Sequence, residues 1–289
     1  MSGTIYGKGD HRFAVVPQWG RGAGGVARFG LVSMVACDRR DRVYVFQREP
    51  EAVMLVFAPD GTLVARWGEA YFKHPHGVWI GPDQTAYCTD RDRQTVTQWS
   101  LDGALLRTWG TPDTPGAVGT PFNEPTRAIV APTGDLYVSD GYGQHRVHHF
   151  AADGTLIRSW GEPGTGPGQF GWPVHSVAWH PSGRILIVDR QNNRVQHFSP
   201  EGDYLDAWTD FDVPQDLYID PAGIIYITEG HPRVTLLTLD GAVVDRWGVR
   251  GAAPGQFRAS PHACWVDRQG SLYVGEVTTP DCFQKFVRV

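Results

Sequence analysis

The chain of 289 residues has only three lysines and carries a net charge of −5. It has no basic field to recruit nucleic acid or an anionic membrane surface, so neither is expected as a partner. No apolar run approaches the ~18 residues that a membrane-spanning helix needs. The N-terminal stretch MSGTIYGKGDHRF also lacks the apolar core of a signal peptide. The expectation is therefore a cytoplasmic protein without leader or membrane span. Four cysteines (Cys37, Cys88, Cys264, Cys282) stand far apart with no Cys-x-x-Cys spacing. That reads as buried free thiols, against disulfides or a metal cluster. Apolar stripes of helical period are missing too. Glycine (35), tryptophan (11) and tyrosine (10) are plentiful instead, the profile of an all-β protein with many tight turns.

Internal repeats then decide the fold. A Trp-Gly pair recurs at Trp19-Gly20, Trp67-Gly68, Trp109-Gly110, Trp160-Gly161 and Trp247-Gly248, with Trp208-Thr209 a degenerate copy. Spacings of 39 to 51 residues fall in the propeller range. Asp-Gly or Glu-Gly turns precede most of the pairs, at Gly61, Gly103, Gly154, Gly202 and Gly241. Such dipeptides supply the positive φ of a tight hairpin. The clearest copy runs from Pro125 to Trp160: a small-residue inner strand, an alternating Leu-Tyr-Val strand, an Arg-Val-x-x-Phe strand and an outer strand ending in Trp. That is one blade. The last unit starts at Pro261 and stops after its third strand, while an orphan strand ending in Trp-Gly stands at residues 13–19. The expected fold is a single six-bladed β-propeller domain over residues 1–289, built from NHL-type repeats. The N-terminal strand completes the last blade, and residues 1–12 form an irregular arm. Such closure pairs edges that would otherwise be exposed.

The second strand of each repeat ends at a comparable residue: Gln47, Asp90, Asp140, Asp189, Glu229 and Glu276. Counting back 14 positions gives Ser33, His76, Thr126, His175, Gln215 and His262. Histidine thus occupies one matched position in blades two, four and six, at the opening of the innermost strand. Matched positions in alternate blades lie about 120° apart around a six-bladed axis, so three imidazoles can point at one atom. Three histidines with an open fourth position are the donor set of a catalytic zinc site. The bland alternative is that they hydrogen-bond one another and channel water. His74, His145, His148, His149, His180, His197 and His231 read as surface or packing residues. A second group follows the reference acid, on the turn from strand two to strand three: Arg48, Arg91, Tyr142, Arg190 and His231. Tyr142 stands between Gly141 and Gly143, which lets the backbone bend and leaves the ring exposed. An ion pair between blades is the ordinary role for each arginine there.

These residues also carry a family resemblance. The chain resembles the peptidyl-α-hydroxyglycine α-amidating lyases, six-bladed NHL-type propellers that use zinc. The likeness runs from about Val32 to the C-terminus. It is strongest in Phe122-Asn-Glu-Pro-Thr through Tyr142, Gly168-Gln-Phe170 through Ser176, and Asp189-Arg190-Gln-Asn-Asn-Arg194. It implies His76, His175 and His262 as zinc ligands, Tyr142 as catalytic base and Arg48 as its partner near the substrate. Arg190 matches a family arginine at the mouth, suited to a substrate carboxylate, and Arg91 is a further substrate-binding candidate. The chain departs from the family in four places. Ala263 stands where the family's structural calcium has an aspartate, which argues against calcium. Ser260 replaces a methionine, and Gly143 and His197 replace cysteines. His175 follows Pro-Val where the family has Pro alone. The function implied is a zinc-dependent lyase cleaving a small α-hydroxylated, carbinolamide-type substrate. The competing expectations are another metal-dependent hydrolase, hydratase or isomerase of a small polar substrate, and a non-catalytic NHL-type scaffold.

Overall fold

The computed structural model describes residues 4–289. Its strands form six antiparallel sheets, the blades of a six-bladed β-propeller. Blades one to five contain four strands each, spanning residues 31–67, 75–109, 125–160, 174–208 and 214–247. Blade three shows the plan: Pro125–Val130 is innermost, followed outward by Leu136–Asp140, Arg146–Phe150 and Leu156–Trp160. Its first three strands are almost wholly buried, while the outer strand exposes Leu156 and Ile157 and buries only Trp160 at its end. These inner strands bury polar residues too, among them Arg127, Asp140 and His148, while the outer strand keeps one wet face.

The Trp-Gly signature has a plain physical basis. In blades one to five the tryptophan ends the outer strand, and Trp160 turns its ring into the core against Phe198 at 5.9 Å and Tyr137 at 6.5 Å, whereas Trp19 lies in the turn after Phe13–Val16. Aromatic pairs of this kind are worth about 0.5–1.5 kcal/mol beyond area burial. The residue after it must leave the strand in the left-handed region, as Gly110 (φ 83°) and Gly161 (φ 98°) do. In the degenerate copy Thr209 cannot do so cheaply, and the positive φ moves one residue on, to Asp210 (φ 72°).

The last blade is closed as the repeat count requires. Phe13–Val16 pairs antiparallel with Phe283–Arg288, which continues into Leu272–Glu276 and Pro261–Val266. The irregular arm expected before residue 13 is partly ordered. Ile5–Tyr6 adds a fifth strand, because Tyr6 packs on Trp247 (5.5 Å) and Phe286 (5.9 Å) and gains more by pairing than by fraying. Residues 1–3 of that expected arm lie outside the described residues. All four cysteines are buried and none forms a disulfide, and burial pushes the thiols of Cys37 and Cys88 well up.

Two compact units divide the chain. Ala70–Gln215 carries blades two, three and four, and Met1–Glu69 with Asp216–Val289 carries blades one, five and six. No helix of the described residues is long and apolar enough to cross a membrane.

Candidate functional site

The site is built on a register slip shared by the blades. In blade two the ladder runs Pro75↔Asp90 and then Val78↔Cys88; in blade four, Val174↔Asp189 and then Ser176↔Val188; in blade six, Pro261↔Glu276 and then Ala263↔Gly275. In each case the inner strand carries one residue too many. His175 and His262 are the surplus residues, and His76 with Gly77 faces Thr89 alone. Thr126 in blade three and Ser33 in blade one occupy the same β-bulge. Bulges re-aim side chains next to functional sites. The matched position was evident from spacing, but the bulge that turns it was not, since a register slip leaves no mark in one sequence.

The residue closing the second strand anchors the chain just before the bulge. Asp90 accepts from the amides of Lys73 (2.6 Å) and His74 (3.0 Å), Asp140 from Asn123 (2.8 Å) and Asp189 from Gly171 (2.8 Å). Gln47 and Glu276 do the same for Gly30 (2.8 Å) and Ala259 (2.5 Å). These side chains are therefore structural, and they fix where each bulge residue begins.

Within the unit of blades two to four, His76 and His175 come together. Both are buried, with ring centroids 4.9 Å apart. The Nδ1 of His76 lies 2.8 Å from the carbonyl of Thr126, and that of His175 lies 2.6 Å from the carbonyl of Gln215. A carbonyl can only accept, so each Nδ1 carries the proton and each Nε2 is a bare lone pair. Both Nε2 atoms face the hydroxyl of Tyr142, at 3.4 and 3.2 Å. That hydroxyl can donate to one of them at a time. In the other unit His262 repeats the arrangement: it is buried, and its Nδ1 lies 2.7 Å from the carbonyl of Ser33. Three neutral imidazoles with Nδ1–H held by a backbone carbonyl are what a zinc-type ion takes as ligands, the second contact fixing ring orientation. The residues present fit such an ion.

Tyr142 is half-buried, not exposed as the sequence suggested. Its flanking glycines also serve differently from the expectation. Neither has a positive φ; a Cβ on Gly141 would stand 2.0 Å from the Val174 carbonyl oxygen, and one on Gly143 2.0 Å from Asn123 Oδ1. Close approach to the neighbouring inner strand, and not backbone bending, excludes any side chain. Two guanidinium groups flank the Tyr142 ring, Arg91 at 5.2 Å and Arg190 at 5.8 Å, and Arg190 Nη1 lies 3.5 Å from the hydroxyl. Arg91 also meets Asp92 (2.9 Å) and Glu124 (3.8 Å), the ordinary ion-pair role expected of it.

The remaining candidates fall elsewhere. Arg48 is the penultimate residue of a strand, Val43–Glu49, and not of a turn; it is half-buried in the unit of blades one, five and six. His231 is an exposed turn residue. His148 is fully buried and bridges Asp140 (3.0 Å) and Ser159 (2.6 Å). His197 is buried as well, and burial pulls it down to about 4, leaving it neutral and structural. Arg194 fans onto Asp189 and the carbonyls of Thr165, Gly166 and Gln169, holding the preceding loop. Sequence reasoning placed Gln215 in the matched register without foreseeing that its carbonyl orients His175, and it did not single out Trp172, which lies against Tyr142.

Comparison with known proteins places this geometry. No family model matches the chain. Human NHL repeat-containing protein 3 is 30% identical over 280 residues, covering 89% of this chain and 80% of that protein. The chain belongs to that NHL-repeat family. The chain is also similar to the Drosophila melanogaster peptidyl-α-hydroxyglycine α-amidating lyase 1, 30% identical over 194 residues, covering 61% of this chain and 36% of that protein. Among solved structures a putative gluconolactonase superposes with a TM-score of 0.67 at 18% identity, covering 90% of this chain and 89% of that one. At that identity the likeness is one of fold alone.

Proposed function

We propose that this NHL-repeat protein is a metal-dependent lyase cleaving small N-acyl-α-hydroxyglycine-type carbinolamides, with His76, His175 and His262 holding a divalent ion, zinc by the chemistry of the donor set. The observation that carries the reading is the thrice-repeated bulge histidine, each with Nδ1 committed to a backbone carbonyl. The three are the one group of metal-capable side chains found among the described residues. Relatives named as amidating lyases and monooxygenases add support from outside the structure.

A divalent ion at such a site supplies positive charge against the negative charge that develops on a substrate oxygen. The chain's own residues do the rest. Tyr142, at hydrogen-bonding distance from both Nε2 atoms of its unit, is the group that takes the proton of the substrate hydroxyl. As the O–H electrons form the new C=O bond, the C–N bond breaks and its electron pair leaves on the amide nitrogen. The proton ends on that nitrogen, giving a primary amide and glyoxylate. Arg190 and Arg91 beside the Tyr142 ring receive the carboxylate, since a guanidinium meets it as a two-point fork. Arg48 is carried over from the family resemblance alone, as the partner of the base near the substrate.

The test is elemental analysis of the purified protein beside a His76→Ala/His262→Ala double variant, with glyoxylate release from N-acyl-α-hydroxyglycines measured on both. About one metal per chain in the wild type, lost with the activity in the variant, is expected. Metal-free wild-type protein that releases no glyoxylate after zinc addition overturns the reading in favour of a binding scaffold.

A further inference from the structure

Eleven tryptophans punctuate this chain, and Trp172 alone among them is exposed, at 47%. An open indole is costly unless something covers it, and its position shows what it is near. The indole Nε1 donates to the Tyr142 carbonyl (2.9 Å), its ring meets the Tyr142 ring edge-on at 5.3 Å, and the Arg190 guanidinium lies 5.4 Å from it. Trp172 therefore belongs to the same cluster as the proposed base and the carboxylate-binding arginine.

The segment that carries it departs from the repeat. In blades one, two, three and six the anchored amide (Gly30, Lys73, Asn123, Ala259) lies three residues before the bulge residue (Ser33, His76, Thr126, His262). In blade four the anchored amide is Gly171 and the bulge residue is His175, four residues on. The extra residue lengthens one connection, Gly171-Trp-Pro-Val-His175, and Trp172 stands in it. It is not a loose tip. Gly171 is tied to Asp189 on one side and the indole to Tyr142 on the other, so the ring is held in place before any ligand arrives.

We infer that Trp172 is a specificity-determining residue that binds the N-acyl group of the substrate, and that the preferred acyl group is aromatic or broadly apolar. The inference rests on the lyase reading for the identity of the substrate, and on the placement of Trp172 alone for the acyl preference. A carboxylate held by Arg190 and an acyl group laid on the adjacent indole give an N-acyl-α-hydroxyglycine two separate handles on one rigid ledge. An aromatic platform favours flat apolar groups, and a small acetyl group leaves most of it uncovered.

The experiment compares N-benzoyl- with N-acetyl-α-hydroxyglycine in the wild type, Trp172→Phe and Trp172→Ala, and reads the ratio of kcat/KM values. A wild-type preference for benzoyl of about 2- to 10-fold is expected, the range of one aromatic contact, retained in part by Phe and lost in Ala. A ratio unchanged in Trp172→Ala overturns the inference, whatever happens to absolute rates through the lost hydrogen bond to Tyr142. Binding of the unreactive N-benzoylglycine and N-acetylglycine, followed by quenching of tryptophan fluorescence, separates the two ideas. If neither α-hydroxy compound is cleaved, the lyase reading fails. Tighter N-benzoylglycine binding in the wild type that disappears in Trp172→Ala then still upholds the aromatic ledge, and equal binding in both proteins overturns it.

Discussion

The same bulge in successive blades carries two kinds of side chain, and their contacts differ in an instructive way. In blade three Thr126 Oγ1 reaches the Ser139 carbonyl (3.0 Å) and the Val174 carbonyl of the next blade (2.8 Å). In blade one Ser33 Oγ donates to Phe46 (3.0 Å). In blade two His76 Nδ1 reaches the Thr126 carbonyl of the next blade (2.8 Å), and in blade six His262 Nδ1 reaches that of Ser33 (2.7 Å). A hydroxyl has one proton to give, which Ser33 spends within its own blade and Thr126 shares between its own and the next. An imidazole gives its proton to the next blade and has a second nitrogen left over. Architecture and chemistry thus share one position, and the difference is one heteroatom.

Substitutions can break this comparison, beginning with the largest effect. His175→Ala should abolish metal retention and turnover together, whereas Thr126→Val should keep both; metal content and glyoxylate release measure it. Tyr142→Phe should lower kcat/KM by about 10²–10⁴-fold, as removal of a positioned acid–base group does, with the metal content unchanged. Full activity in that variant removes Tyr142 from the mechanism.

A second contrast concerns the anchor behind the bulge. Blade one anchors Gly30 with neutral Gln47, and blade six anchors Ala259 with Glu276, whose carboxyl burial pushes up to about 7. An ordinary glutamate in the unfolded chain titrates near about 4.3. The fold therefore prefers the neutral acid: stability is fully present below about pH 4.3 and declines as pH rises towards 7. Glu276→Gln, which copies blade one, should flatten that decline and gain on the order of 2–3 kcal/mol at neutral pH in denaturant melts. Gly141→Ala should cost about 1–3 kcal/mol, because its new methyl group meets the Val174 backbone. Thr126→Val should cost least, about 1 kcal/mol for one lost hydrogen bond, seen as a small drop in Tm.

The fold was legible because its signals are local and repeated. A Trp-Gly exit and an Asp-Gly hairpin mark most of the blades, and the orphan segment at residues 13–19 announced its pairing with the last one. The histidines were legible for the same reason, since counting from the strand-two acid places them in register. What escaped was everything that depends on how chains approach one another. The glycines beside Tyr142 looked like hinges, yet it is the closeness of Val174 and Asn123 that requires them. Arg48 was expected on a turn because its blade was aligned with the others, and its second strand continues to Glu49. Trp172 hid in a one-residue insertion that sequence registered as Pro-Val before His175. An insertion has meaning only when its neighbours are known.

The sheet that joins Phe13–Val16 to Phe283–Arg288 also sets a timetable. During synthesis, Phe13–Val16 must wait for Phe283–Arg288 to emerge before it finds this partner. Blade six, which carries His262, therefore cannot close until the strands of blades one to five have already been made. The lone strand spends that interval with an unpaired edge, the stage at which the nascent chain is most open to capture by chaperones or by its own kind.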